Sequence, residues 1–107
     1  MWITMVEENT NNANKLSNFE DKSLLIVDDD NPFRERLARA MEKKGFSVTQ
    51  AEGVKKGLEI ANSKKPAFAV VDLRLADGNG LEVAREIQNL KIKCRLIMLT
   101  GYGNIPT

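Results

Sequence analysis

The sequence contains no histidine and one cysteine, Cys94. Without histidine there is no imidazole triad, no imidazole general base and no histidine-bound zinc. A single thiol excludes an intrachain disulfide. With no basic, apolar export signal at the start MWITMV, the expected compartment is a reducing cytoplasm. No apolar run approaches the roughly 20 residues that span a bilayer, so a membrane partner is not expected. The net charge of +1 offers no electrostatic footprint for nucleic acid. What remains is ordinary globular composition, 42% hydrophobic and 29% charged, in a 107-residue chain that can hold one domain.

Residues 1–22 differ from the rest. They are rich in Asn, Glu, Lys, Thr and Ser and poor in apolar side chains, which predicts a flexible leader outside the core. From Ser23 onward the pattern is regular. Leu24-Leu25-Ile26-Val27 is a continuous apolar run, as in a strand buried on both faces. Asn31-Pro32 reads as a helix cap followed by proline at the first helical position. Phe33, Leu37, Ala40 and Met41 continue at helical spacing, and Gly45 is the expected stop. Phe46–Thr49 reads as a wetter strand. Val54, Leu58 and Ala61 mark a second helix that ends before Pro66. Phe68–Val71 is another buried strand, Leu81, Ala84, Ile87 and Leu90 mark a third helix, and Leu96–Leu99 is a fourth strand. The order β-α-β-α-β-α-β predicts an α/β fold, a doubly wound parallel sheet with helices on both faces.

Three of these strands run into polar groups: Asp28-Asp29-Asp30, Asp72, and Thr100-Gly101. Taken singly, each has a structural reading, because Asp caps helices and favours turns and a threonine often ends a strand. In a parallel sheet, however, the strand C-termini share one edge, and ligands bind there. Clustered carboxylates repel one another, and a hard divalent cation with oxygen ligands relieves the repulsion. Mg2+ suits one or two carboxylates plus a phosphate. A hydroxyl and loop amides at the neighbouring strand end suit phosphate oxygens. The convergent reading is phosphoryl chemistry on an aspartate. Asp77-Gly78-Asn79-Gly80 predicts a tight turn and a helix entry; it lacks the spacing of a dinucleotide loop.

Together, Leu25–Asp30, Val70–Leu75 with Asp77–Leu81, and Leu96–Gly101 resemble the receiver domains of two-component response regulators, from about Ser23 to the last residue. The stretch Leu99–Ile105 and the helix Arg36–Phe46 resemble the RegA/PrrA/ActR group of redox-responsive bacterial regulators. The resemblance implies a flavodoxin-like (CheY-like) fold with strand order 2-1-3-4-5. It implies that Asp72 is the phosphoacceptor, taking the group from a phosphohistidine of a sensor kinase. Asp28 and Asp29 would hold Mg2+ together with Asp72 and the backbone carbonyl of Arg74. Thr100 would be the switch hydroxyl, assisted by the Gly101 amide, and Asp30 would serve helix entry. An intact relative carries a C-terminal Fis-type helix-turn-helix, which implies transcription control.

Receivers continue with a fourth helix, a fifth strand bearing a lysine and a switch aromatic, and a fifth helix. The sequence ends at Thr107 before these, Pro106 stands where the fourth helix would start, and Tyr102 is not that aromatic. The expectation is a leader at 1–22 and an incomplete receiver at 23–107. The Leu96–Leu99 strand would then be a naked apolar edge that invites self-association. Two other readings stay open: a haloacid-dehalogenase-like phosphatase using Asp28 and Asp30, and a decoy that binds the kinase without accepting phosphate. Cys94, between Lys93 and Arg95, is a redox-sensing thiol or a small buried hydrophobe.

Overall fold

The computed structural model describes residues 2–5 and 21–100, with 2–5 and 100 placed through their backbone. The elements are β1 (Trp2–Met5), β2 (Ser23–Val27), α1 (Asn31–Lys43), β3 (Ser47–Ala51), α2 (Val54–Lys64), β4 (Phe68–Asp72), β5 (Arg74–Leu75), β6 (Gly78–Asn79), α3 (Gly80–Asn89) and β7 (Arg95–Thr100). The main sheet has the order β1-β7-β4-β2-β3. Strands β3, β2, β4 and β7 are mutually parallel, as expected of βαβ crossovers.

Each strand of the sheet centre is apolar along its length because both faces are covered. Leu24 and Ile26 of β2 join Ala38, Val70 and Leu99 in a layer under α1. Leu25 and Val27 point the other way, into the larger layer formed with Val54, Ile60, Ala61, Val83, Ala84 and Ile87 of α2 and α3. Phe46 and Phe68 close one end of the α1 layer edge to face, with ring centroids 5.1 Å apart.

The helix boundaries refine the sequence reading. The N-cap of α1 is Asp30, one residue earlier than Asn31: its carboxylate accepts the Phe33 N–H at 3.1 Å. Gly45 ends this helix at φ 103°, a conformation that glycine adopts without strain. Lys65 ends α2 in the left-handed region, just before Pro66. In α3 the buried residues are Gly80, Val83, Ala84 and Ile87, whereas Leu81 is 40% exposed. Leu81 therefore belongs to the wet side of the first turn and not to the core face.

The open edge expected at Leu96–Leu99 is covered. Trp2–Met5 pairs antiparallel with β7, with Trp2 opposite Thr100 and Met5 opposite Ile97. Unpaired N–H and C=O groups on an apolar edge accept any available strand, and here the same chain supplies it. A second copy could pair with β7 on that side only by displacing Trp2–Met5. Residues 2–5, which fall within the stretch read as a leader outside the core, form the edge strand of the sheet. Among the described residues no helix is long and apolar enough to cross a membrane.

Candidate functional site

The parallel register brings the polar strand ends to one edge of the sheet. Val27 stands opposite Val71, so Asp28 and Asp72 leave neighbouring strands at the same level. Asp72 stands opposite Leu99, which puts the backbone of Thr100 one residue further along the same edge. The Gly101 amide lies outside the described residues, as do Tyr102 and Pro106.

Asp28 is fully buried and Asp72 is 7% exposed, whereas Asp29 is exposed. One carboxylate oxygen from each of the three lies within 4.8 Å of the others. Backbone donors hold the two buried carboxylates. Asp28 Oδ1 accepts the Asp30 N–H at 2.9 Å, and Asp72 Oδ1 accepts the Arg74 N–H at 3.0 Å. Asp28 Oδ2 is buried with no hydrogen-bond partner. A buried, unpaired carboxylate oxygen is costly unless a proton or cation meets it. Burial accordingly raises the Asp28 pKa to about 6, and the Asp72, Asp29 and Asp30 charges push the same way against the Asp30 N–H. Burial, followed by the charge of Asp29, raises that of Asp72 as well, against the Arg74 N–H.

Asp30 is not in this group, because its carboxylate caps α1. Arg74 stands two residues past Asp72 in the short β5–β6 hairpin, with its side chain exposed. This hairpin is fastened to the core by Leu75, which is buried, and to the strand ends by backbone bonds. Leu73 N–H donates to Leu99 O at 3.0 Å and Gly80 N–H to Leu73 O at 2.8 Å. Asn79 caps α3 by accepting the Leu81 N–H at 2.8 Å, the helix entry expected of Asp77–Gly80.

Three contributors escape the strand-end reasoning. Arg34 donates from Nη1 to the Asp28 carbonyl at 2.8 Å and to Asn31 Oδ1 at 2.7 Å, and from Nε to Gln50 Oε1 at 2.9 Å. It pins the turn that carries the acidic pair. Its signal in the sequence is a cation one turn into a helix that follows an acidic run. Gly80 packs so closely on β4 that an added methyl would overlap the Asp72 carbonyl. Asp77 accepts the Val54 N–H at 2.8 Å and the Lys55 N–H at 3.2 Å, which ties the hairpin to the start of α2. Cys94 is half-buried against the α2–α3 side of the core, and burial raises its thiol to about 11. A thiol protonated at neutral pH fits the small-hydrophobe reading.

Three carboxylates gathered at the C-terminal edge of a parallel sheet, two of them buried and one with an orphaned oxygen, form a site with an oxygen-only donor set. Known proteins are similar to this chain in sequence or in fold. RegA, the photosynthetic apparatus regulatory protein of Cereibacter sphaeroides, is 55% identical over 87 residues, covering 81% of this chain and 47% of RegA. ActR, the acid tolerance regulatory protein of Rhizobium meliloti, is 51% identical over 104 residues, covering 97% of this chain and 54% of ActR. The chain thus spans about half the length of the curated relatives it matches. A solved response regulator from Burkholderia pseudomallei, containing a phosphorylated aspartic acid, a calcium ion and citrate, has a TM-score of 0.72 at 36% identity. The match covers 79% of this chain and 50% of that one. The response regulator receiver domain model matches residues 24–107, from β2 onward and through every strand end that carries the acidic site. On that match, the parallel fold and these relatives, the chain belongs to the receiver-domain family of two-component response regulators.

Proposed function

We propose that this receiver accepts a phosphoryl group on Asp72 from a phosphohistidine of a sensor kinase, with Mg2+ held by Asp28, Asp29, Asp72 and the Arg74 carbonyl. The observation that carries the reading is the buried Asp28–Asp72 pair with its orphaned Asp28 Oδ2. The donor set fits a hard divalent ion, because all three side chains are carboxylates within 4.8 Å and no sulfur or nitrogen ligand stands among them. The calcium ion and phosphorylated aspartate of the Burkholderia relative support the same assignment. When bound, Mg2+ supplies positive charge against the carboxylates and the phosphoryl oxygens.

The residues of the chain do the rest. The Arg74 N–H on Asp72 Oδ1 fixes the rotation of the acceptor carboxylate. Arg34 holds the Asp28 carbonyl, and so the turn that presents Asp28 and Asp29. An Asp72 oxygen attacks phosphorus and the new O–P bond forms as the P–N bond to the kinase imidazole breaks. The imidazole nitrogen keeps the electron pair and takes up a proton from water. Thr100, at the end of β7, and the Gly101 amide are read as the groups that hydrogen-bond the phosphoryl group. Phosphorylation then biases a two-state surface instead of turning over a metabolite, so the chain is read as a signalling domain and not an enzyme. Residues 23–107 are taken as the receiver unit, with 1–22 preceding it. The setting is the cytoplasm, and transcription control is the proposed output of the whole regulator.

Asp30 bears on the phosphatase alternative. That reading needs Asp28 and Asp30 in one pocket, and the Asp30 carboxylate is engaged at the α1 cap. The decoy reading is separated by experiment. Radiolabelled phosphate on a histidine-kinase transmitter domain is expected to move to this chain within minutes when Mg2+ is present, and not in EDTA. Binding of the transmitter without transfer of label would favour the decoy.

A further inference from the structure

The hairpin that carries Arg74 is tied to α2 by one carboxylate. Gly53, at the N-cap position of α2, has no side chain with which to cap the helix. The first N–H groups of a helix need an acceptor, commonly the side chain of the capping residue itself. Here the acceptor comes from another element: Asp77, at the tip of the β5–β6 hairpin, accepts from both Val54 and Lys55. The two sides are fitted to each other. A Cβ on Gly53 would lie 2.7 Å from Asp77 Oδ1, so the bare backbone at 53 is what lets the carboxylate approach. Gly78, the next residue in the hairpin, has φ 153° and packs against Val54. Between them, Asp77, Leu75 and the Gly80–Leu73 bond hold the hairpin at its tip, its middle and its base.

We infer that Asp77 is a positioning residue for the metal and phosphoacceptor site, acting through the Asp77–α2 tie to fix the Arg74 backbone beside Asp72. The inference rests on the phosphoacceptor reading above. The Arg74 N–H orients the Asp72 carboxylate, and its carbonyl is the proposed backbone metal ligand. Both belong to a peptide segment three residues from Asp77. If the tip is released, the hairpin samples more positions, and each departure costs one metal ligand and one hydrogen bond on the acceptor. Groups that orient metal ligands typically contribute tenfold to a hundredfold in metal affinity.

A cap and a tether can be separated because they use different residues. Asp77→Ala removes both. Adding Gly53→Ser to Asp77→Ala returns a cap to α2 from the helix's own N-cap residue, in the space that the carboxylate vacated, and leaves the hairpin untied. Mg2+ affinity is measured by isothermal titration with MgCl2, and stability by urea unfolding. Affinities are taken under conditions where circular dichroism shows each variant to be folded. The expected result is a Mg2+ Kd raised about tenfold in Asp77→Ala and still raised in the double variant, while the urea midpoint moves back toward wild type. A Kd that stays within about twofold of wild type in Asp77→Ala, or that recovers in step with stability in the double variant, overturns the inference. In either case the phosphoacceptor reading stands. A wild-type chain that binds no Mg2+ at all overturns that reading, and the inference with it.

Discussion

Asp28→Asn is expected to stabilise the metal-free protein by roughly 1–3 kcal/mol near pH 7.5 and to abolish Mg2+ binding. Asp28 is fully buried, its Oδ2 has no partner, and its pKa is raised to about 6, chiefly by burial. The folded chain therefore holds the Asp28 proton more tightly than the unfolded chain, whose value is near 3.8. Between those two pH values the folded state binds more protons, so stability falls as pH rises through about 4 to about 6, and the loss persists above that. An amide carries no charge to desolvate and removes one of the mutually repelling groups. The same substitution takes away the most buried of the proposed metal ligands. Urea midpoints of the two proteins should thus converge near pH 4 without metal and diverge at neutral pH, with Asp28→Asn the more stable. Millimolar Mg2+ should raise the wild-type midpoint and leave that of the variant unmoved. A variant less stable than wild type at neutral pH in EDTA would mean that Asp28 is satisfied by some group other than a proton or a cation.

Gly80→Ala is expected to be the most damaging single-methyl change near the site. The added Cβ would overlap the backbone carbonyl of Asp72 and also meet Val71 Cγ1 at 3.0 Å. Neither atom can yield alone, since Val71 is fully buried and Asp72 is paired in the sheet with Leu99. The chain must part the start of α3 from the end of β4, which breaks the Gly80–Leu73 bond and displaces the acceptor. Overpacking of this kind costs roughly 1–3 kcal/mol, and more where backbone has to move. The expected readout is a lower urea midpoint together with slower phosphoryl labelling at saturating Mg2+. Gly80→Ala with wild-type stability and labelling would show that α3 can shift freely against β4.

The parts of this fold most legible in the sequence are those where burial is two-sided. Leu24–Val27, Phe68–Val71 and Leu96–Leu99 stand out as unbroken apolar runs because helices cover both faces of the sheet. The acidic site was legible for the same reason: a charged residue directly after such a run marks a strand end, and parallel strands bring their ends together. Local caps were nearly so. Asp30 and Asn31 are both good capping residues, and only the reach of the Asp30 carboxylate to Phe33 decides between them. Long-range ties were not legible. Asp77 looks like a turn residue, and its partners at the start of α2 lie 22 and 23 positions away. Gly53 gives no hint that it makes room for a carboxylate from another loop. Trp2–Met5 is too short for its pattern to announce a strand, and its place beside β7 follows from the edge that it covers. Leu81 was misplaced because its spacing to Ala84 suits the core face, whereas the buried stripe runs through Gly80, Val83, Ala84 and Ile87 and leaves Leu81 at its edge.

The central claim is that Asp72 is the residue that takes the phosphoryl group. Its most direct test is to incubate the chain with acetyl phosphate and Mg2+, reduce the acyl phosphate with borohydride, and locate the resulting homoserine by peptide mass spectrometry. The account predicts a single modified position, residue 72, with no label in EDTA and none in Asp72→Asn. Label on Asp28, or label that persists in Asp72→Asn, would contradict it.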